Sequence, residues 1–188
     1  QLRYFSQNMK NAPSLYAVAI VACLLGILPA TSDADKIPGE LLVIYTGQTL
    51  GELKPCGCSS EEDQGGIERR MSYLKQAMTE NTLLVDVGDN FKEPTPQGKI
   101  KAKYLMKSMD LMHYDAIAIG DKDLVYGNRF IQEQRDLPWV SSNITFNTSP
   151  PKVRFKQIAN GMKIAVIAVS DPKLFYPTGH ANIKIQDP

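Results

Sequence analysis

The sequence lacks an excess of charge of either sign. Its 188 residues include 21 lysines and arginines and 20 aspartates and glutamates, a formal net charge of +1. A chain with this balance has no basic field to attract nucleic acid and no acidic field to attract cationic partners. We therefore expect no nucleic-acid binding.

Cysteine and histidine are also scarce. The three cysteines, one inside an apolar run and two nearly adjacent, do not form the framework of a disulfide-stapled small domain. The only histidines in the sequence are His113 and His180. Hydrophobic residues make up 43% of the chain, which is enough to bury one sizeable core. One globular domain is expected after the N-terminal segment is set aside.

That N-terminal segment contains a long uncharged run. Residues 11–32 carry no charged side chain, and a helix of this length, at about 1.5 Å per residue, reaches the roughly 30 Å hydrocarbon thickness of a bilayer. Arg3 and Lys10 precede the run, whereas acidic residues dominate directly after it. The positive-inside rule then places the N-terminus in the cytoplasm.

A retained transmembrane helix divides the chain into an anchor, residues 1–36, and a domain, residues 37–188, on the extracytoplasmic (periplasmic) side. Two alternatives stay open. The small residues 30–34 resemble a signal-peptide cleavage site, and residues 20–23 resemble a bacterial lipobox in which Cys23 would be lipidated. Mostly apolar residues follow Cys23, where a lipoprotein normally has a polar linker, and this favours the retained helix.

Beyond the anchor, short apolar runs alternate with helical patterns. Four runs have the length and composition of buried strands: residues 41–45, 82–87, 116–119 and 139–141. Helical spacing predicts a helix that carries Ile67, Met71, Leu74 and Met78, and further helices over 98–112 and near 130–135. Alternation of this kind predicts an α/β fold with a largely parallel sheet and helices on its faces.

Two details refine this prediction. The 98–112 helix carries Ile100, Tyr104 and Leu111 on one face. The segments 153–158 and 163–169 flank an Asn-Gly dipeptide, which favours a tight hairpin turn, so the sheet should end in an antiparallel addition.

Ligand sites of parallel sheets form beyond the carboxyl ends of the strands. The loops that follow the predicted strands should therefore converge on one edge. They comprise residues 46–51, 88–90, 120–123 and 142–144.

Residues 114–123 read YDAIAIGDKD. With Ser142-Asn143-Ile144 and the strand at 163–167, this segment resembles the bacterial 5′-nucleotidase and UDP-sugar hydrolase branch of the calcineurin-like metallophosphoesterases, where it normally ends in AIGNHE. The resemblance runs from about residue 41 to residue 171. It implies a metallophosphoesterase sandwich and covers only that domain, without the family's C-terminal substrate domain.

The resemblance also implies where metals would bind. Family members hold two divalent metals with an Asp-x-His after the first strand, a bridging Asp in GD, an Asn-His in GNHE, and later histidines. Gln48 and Leu50 fall at the first pair of positions, Asp89 keeps the bridging carboxylate, and Asp121 and Lys122 replace the Asn-His pair.

A protonated lysine repels a dication and cannot coordinate it. The resemblance therefore implies a degenerate member of the family that is not an active phosphatase and has no resident cofactor. The remaining metal possibility is a single divalent ion held by Asp89 with Asp121 or Asp123.

A Cys-Gly-Cys motif, Cys56 to Cys58, lies in the long first loop. It resembles a branch of nucleotidase-like proteins in which selenocysteine replaces one of the two cysteines in some members. Two thiols one residue apart are a candidate redox pair, and they are also compatible with a plain disulfide or half of a metal site.

Three functions follow as hypotheses. The first is a non-catalytic accessory or binding subunit, held in the lipid bilayer by residues 11–32 and docked on other subunits of a membrane complex. The second is a thiol-disulfide redox protein that uses Cys56 and Cys58. The third is a residual metal-dependent phosphoesterase. The predicted anchor and the lost ligands favour the first, and the paired thiols favour the second.

Overall fold

The computed structural model describes residues 3–4, 40–55, 65–159, 161–175 and 182–188. The predicted anchor with Cys23, the Cys56–Cys58 motif and His180 lie outside these residues. Within the described part of the chain, no helix has the length and apolarity needed to cross a bilayer.

A five-stranded sheet lies at the centre of the fold. Its strands follow chain order, and they are β1 (Arg3–Tyr4), β2 (Leu42–Thr46), β3 (Thr82–Asp86), β4 (Ala116–Ala118) and β5 (Trp139–Val140). β1 pairs antiparallel with β2, and the other three pairings are parallel. The first pairing places Arg3–Tyr4 in the same sheet as the domain, whereas a single crossing of the bilayer by residues 11–32 would place them on its other side. The predicted mixed α/β class with a largely parallel sheet is confirmed.

Each parallel connection contains one α-helix, and the last also contains a 3-10 helix, Lys122–Leu124. The α-helices are α1 (Ile67–Ala77), α2 (Pro96–Leu111) and α3 (Asn128–Glu133). Because the strands follow one another in chain order and such crossovers are right-handed, all three helices lie on the same face of the sheet. β3 shows the consequence of this cover, since four of its five residues are buried.

The helix α2 begins with two local signals. The Thr95 hydroxyl accepts a hydrogen bond from the Gly98 amide at 3.0 Å, and Pro96 occupies the first turn, where its missing N–H costs nothing. The helix packs on the core through Ala102, Leu105, Met106 and Met109.

The face of α2 that points away from the core also carries apolar side chains. Ile100, Tyr104 and Leu111 share this face, as their spacing predicts, and their exposed fractions are 57%, 59% and 67%. The helix therefore carries apolar side chains on both its core face and its solvent face.

Two antiparallel pairs complete the described fold. β7 (Val153–Gln157) pairs with β8 (Lys163–Ile167), and β6 (Ile144–Thr145) pairs with β9 (Lys184–Ile185). The predicted antiparallel pair of strands is confirmed, but it forms a separate two-stranded sheet and not an addition to the five-stranded sheet. Gly161 of the predicted turn has a φ of 87°, and Asn160 lies outside the described residues.

An aromatic cluster supports the loops at the edge of the sheet. Phe91, which directly follows the Gly88-Asp89-Asn90 loop, meets Phe130 edge to face with ring centroids 5.2 Å apart. Tyr126 packs against both rings. Both phenylalanines are almost completely buried, so the chain on either side of the edge loops is fixed by core packing.

Candidate functional site

Three of the four loops predicted to converge do meet at the carboxyl edge of the sheet. The Gln48 amide donates to the Gly88 carbonyl at 2.8 Å, and the Leu50 amide donates to the Asp89 carbonyl at 3.1 Å. The Gly120 amide and the Asp89 amide both donate to one oxygen of Asp123, at 2.9 and 2.8 Å. The edge is thus a continuous hydrogen-bonded surface.

The fourth loop, residues 142–144, makes its hydrogen bonds elsewhere. The Asn143 side chain binds backbone groups of Ser170 and Gln186. The Ser170 hydroxyl in turn donates to the Ile119 carbonyl at 2.9 Å. This loop therefore joins the antiparallel strands to the main sheet.

The backbone at the edge adopts unusual conformations. Among the described residues, four that are not glycine have positive φ, and Gln48, Leu50 and Asp89 at this edge are three of them, with φ of 52°, 50° and 60°. His113 is the fourth. A side chain in this region costs about 1 kcal/mol or more, and such residues cluster at functional sites. The edge therefore keeps a strained backbone at two positions that carry neither a carboxylate nor an imidazole, Gln48 and Leu50.

Asp123 braces the edge, because its carboxylate links the loops that follow β3 and β4. It is 0% exposed, and its two carboxylate oxygens accept the amides of Asp89, Asn90 and Gly120 at 2.8 to 2.9 Å. Burial raises its pKa to about 7, the backbone amides oppose that rise, and the nearby Asp86 carboxylate adds to it. Since both oxygens already accept backbone amides, Asp123 is poorly placed to bind a metal.

A second buried carboxylate, which sequence reasoning did not single out, lies below this edge. Asp86 is 2% exposed and accepts hydrogen bonds from the Thr46 hydroxyl, the Gly88 amide and the Asn90 side-chain amide. The Thr46 hydroxyl also shares a 2.8 Å hydrogen bond with Tyr114. Its only sequence signal is a strand-terminal aspartate two residues before a glycine.

Arg70 of α1 adds two further hydrogen bonds to the network around Asp86. Its guanidinium donates to the Thr49 hydroxyl at 2.9 Å and to the Tyr114 hydroxyl at 3.4 Å. Among the described residues, the Asn90 Oδ1 atom is the one buried side-chain oxygen or nitrogen without a hydrogen-bond partner.

Lys122 places its positive charge among the carboxylates of the edge. Its ammonium lies 3.1 Å from Asp121 Oδ2, and its backbone amide donates to Asp89 Oδ1 at 3.2 Å. Burial raises the pKa of Asp89 above its ordinary value, the Lys122 amide lowers it, and the Asp121 carboxyl raises it again. The predicted trio of Asp89, Asp121 and Lys122 is therefore brought together, as an ion-paired cluster.

These residues do not fit a two-metal centre. In the part of the chain that the structure describes, no group of three or more His, Cys, Asp or Glu side chains is arranged to hold a metal ion. Gln48 and Leu50, which the resemblance aligns with the first ligand pair, are exposed and half-buried respectively. A dication beside Asp89 would also meet the Lys122 ammonium.

The sheet, its helices and the loops at its edge define a 5′-nucleotidase-like α/β fold. The structure superposes on the 5′-nucleotidase precursor of Thermus thermophilus with a TM-score of 0.67 and 19% identity, over 79% of this chain and 32% of that one. The NAD nucleotidase of Haemophilus influenzae gives a TM-score of 0.62 and 16% identity, over 78% and 29% of the two chains.

Sequence comparison finds related proteins with the same name. The chain is 27% identical over 95 residues to a snake venom 5′-nucleotidase of Naja atra, which is 47% of this chain and 18% of the venom protein. The match to the venom 5′-nucleotidase of Crotalus adamanteus is 24% over 95 residues, 47% of this chain and 16% of that protein. The matched segment is less than a fifth of the length of these relatives. No protein-family model matches the chain.

Proposed function

We propose that this chain is a metal-independent accessory or binding domain, built on a 5′-nucleotidase-like fold and held at a membrane by residues 11–32. Its partners would be other subunits of a membrane complex. The main support for the proposal is the position of Lys122. Its ammonium lies 3.1 Å from the Asp121 carboxylate, at the edge where members of the family that this chain resembles bind metal.

The chemistry of this cluster supports the proposal. Two carboxylates held close together in a partly buried site require a positive charge or a shared proton. In the family that this chain resembles, a metal ion supplies positive charge. In this chain the Lys122 side chain lies at the corresponding place and brings its own positive charge. Lys122 therefore supplies part of the positive charge that an ion would otherwise provide, and the raised pKa of Asp89 reflects its burial and the carboxylate charge of Asp121 that remains.

The surrounding backbone supports a binding role. The strained residues Gln48, Leu50 and Asp89 are held by hydrogen bonds between loops, and Asp123 braces two of these loops from within. A rigid edge of this kind suits recognition, because binding then costs little conformational entropy.

Metal stoichiometry tests the proposal directly. We expect the purified full chain to bind less than one equivalent of manganese or zinc by elemental analysis, and to hydrolyse neither nucleoside monophosphates nor UDP-sugars. A stoichiometry of two metals per chain, or hydrolysis that depends on added metal, would refute it.

A pair of substitutions tests whether Lys122 is the group that prevents metal binding at Asp89. Lys122→His removes the fixed ammonium and adds an imidazole, so it should raise the affinity for manganese at Asp89. Lys92→His is the matched control, because Lys92 is an exposed lysine that pairs with Glu52 at 3.9 Å, outside the cluster. If neither variant gains affinity, the missing ligands at Gln48 and Leu50 are the main obstacle.

The Cys-Gly-Cys motif favours a second function, thiol-disulfide exchange by Cys56 and Cys58. Pro55 and Gly66, on either side of its loop, lie close together, since a β-carbon on Gly66 would come within 2.8 Å of the Pro55 ring. A disulfide across one intervening residue is strained and easily reduced. We expect non-reducing mass spectrometry to find Cys56 linked to Cys58, and its reduction potential to lie above about −300 mV. A lower potential would leave only a structural disulfide.

A further inference from the structure

The solvent face of α2 carries a row of three exposed apolar side chains, with Lys107 between the second and the third. Ile100, Tyr104 and Leu111 are 57%, 59% and 67% exposed. At 100° per residue they lie on one stripe, and at about 1.5 Å per residue the row extends for roughly 16 Å along the helix. Because the opposite face is packed into the core through Leu105 and Met109, the row is fixed in its outward position.

Lysines surround this row. Lys99, Lys101, Lys103 and Lys107 are all exposed, and Asp110 is the one acidic residue of the helix, so α2 carries four positive charges against one negative. Among the described residues, none of these four lysines forms an ion pair.

The geometry places the ammonium groups beside the apolar row. The helical spacing puts Lys101 and Lys103 on opposite flanks of the row. The Lys107 ammonium lies over the Tyr104 ring, 5.6 Å from its centre. The Lys99 side chain turns instead toward Phe130, with 5.8 Å between its ammonium and the ring centre. Lys101 and Lys103 on the flanks, together with Lys107 between Tyr104 and Leu111, are called the lysine rim.

An apolar row with a lysine rim matches a helix that lies in the plane of a membrane surface. There the apolar side chains reach the boundary between headgroups and acyl chains, and the lysines extend to anionic headgroups. The Tyr104 ring suits the same boundary, because one end is apolar and the other polar.

The same arrangement disfavours a protein partner. The cores of protein interfaces are depleted in lysine, since a dry contact would bury the ammonium groups without counter-charges. At a bilayer, flexible lysine side chains keep their charge in the headgroup layer while the apolar row is buried.

We propose that α2 docks this domain on the surface of an anionic lipid bilayer, through Ile100, Tyr104 and Leu111 with the lysine rim. The contact goes beyond the proposed function. It depends neither on the loss of metal ligands nor on the N-terminal anchor.

Tryptophan fluorescence in the full chain tests this contact. Tyr104→Trp places a reporter in the row, and Phe155→Trp places a control reporter at a 78% exposed aromatic position on β7. Trp139 is 2% exposed and contributes the same background to both variants. With vesicles of phosphatidylcholine and phosphatidylglycerol, we expect the emission of the row reporter to shift to shorter wavelength and to be quenched by brominated lipid. Pure phosphatidylcholine should produce a much smaller effect, and the signal of the control reporter should not change.

Charge and salt provide the decisive controls. Replacement of Lys101, Lys103 and Lys107 by glutamate in the Tyr104→Trp background should abolish the shift, since each lysine contributes about fivefold in affinity for an anionic surface. The same replacements at the exposed lysines Lys152, Lys163 and Lys173 should leave it intact. The shift should also fall as salt shortens the Debye length from about 30 Å to about 3 Å.

Three results would overturn the proposal. The first is equal quenching of the row reporter and the control reporter, which would indicate general adsorption. The second is a signal from the row reporter that is insensitive to lipid charge and salt. The third is a shift that grows with protein concentration in the absence of vesicles, which would assign the row to contact with a second copy of the chain.

Discussion

Asp123 supports the edge of the sheet as an acceptor of backbone hydrogen bonds. By resemblance it falls in the GNHE segment, and the sequence predicted it as a weak metal ligand. In the structure its two oxygens accept the amides of Asp89, Asn90 and Gly120, and the side chain is fully buried. It therefore holds the ends of β3 and β4 together.

We expect Asp123→Ala to lower the free energy of unfolding by about 2 to 4 kcal/mol, because the buried amide of Asn90 and the partly buried amides of Asp89 and Gly120 lose their acceptor. Asp121→Ala is the matched control. Asp121 is an aspartate of the same loop whose ion pair with Lys122 is partly exposed, so its loss should cost about 1 kcal/mol or less. Urea unfolding monitored by circular dichroism measures both, and equal losses would exclude the brace role.

Asp123 also predicts a pH dependence of stability. Its pKa rises from an ordinary value of 3.8 to about 7 on folding, so the folded chain binds its proton more tightly than the unfolded chain. The resulting stabilisation is fully present below 3.8 and is lost as pH rises through 7. Asp123 should therefore make the free energy of unfolding about 1 kcal/mol larger at about pH 6 than at about pH 8. Asp123→Asn should remove this part of the dependence, and an unchanged pH profile would contradict the assignment.

The sequence predicted which loops and residues lie at the site better than it predicted the hydrogen bonds between them. The resemblance aligned Gln48, Leu50 and Lys122 with ligand positions of the family, and the structure brings the loops that carry them to one edge. The network of Asp86, Asn90 and Arg70 could not be predicted in this way, because it depends on hydrogen bonds between β2, β3 and α1 that no local spacing reveals. Cooperative networks of this kind are formed by tertiary packing.

At the scale of elements, the sequence predicted the type and the order of the helices and strands. It did not predict which face of a helix packs on the sheet. Runs of β-branched and apolar residues located β2, β3, β4 and β5 within one or two residues, because burial in a parallel sheet requires such runs. For α2 the sequence contains two apolar sets, and periodicity alone does not decide which one packs on the sheet. The smaller and more flexible set around Ala102 and Met106 is buried.

The turns at the carboxyl edge offer a matched pair of glycines. Gly88 and Gly51 both have positive φ, 90° and 72°, but only Gly88 is crowded, with the Gly120 nitrogen 2.7 Å from where its β-carbon would lie. Nothing lies within 4 Å of the corresponding position at Gly51.

We therefore expect Gly51→Ala to cost about 1 to 2 kcal/mol of unfolding free energy from backbone strain alone. Gly88→Ala should cost about 1 to 3 kcal/mol more, because the β3 and β4 loops must also move apart. Thermal or urea unfolding of the two variants checks the difference. If the two losses are equal, close contact between these loops does not contribute to stability.

At the scale of the whole molecule, Asn143 connects the separate sheets. It is 5% exposed, its Nδ2 donates to the carbonyls of Ser170 and Gln186 at 2.7 and 2.8 Å, and its Oδ1 accepts the Ser170 amide at 3.0 Å. Ser170 follows β8 and binds the Ile119 carbonyl beyond β4, and Gln186 follows β9. One amide group therefore links both antiparallel pairs to the main sheet.

We expect Asn143→Asp to destabilise the whole fold rather than one strand. The substitution keeps the shape of the side chain but turns its donor into a charged acceptor that faces two carbonyl oxygens, which should cost about 3 kcal/mol or more. Asn147→Asp makes the same change at an exposed position, and its effect should stay within about 0.5 kcal/mol. Urea unfolding measures the loss, and amide hydrogen exchange shows whether protection falls in β7, β8 and β9 together. Loss of protection confined to β9 would mean that Asn143 fastens only that strand, and that the β7–β8 pair is held to the main sheet by its other contacts, such as the 2.7 Å ion pair between Lys156 and Asp115.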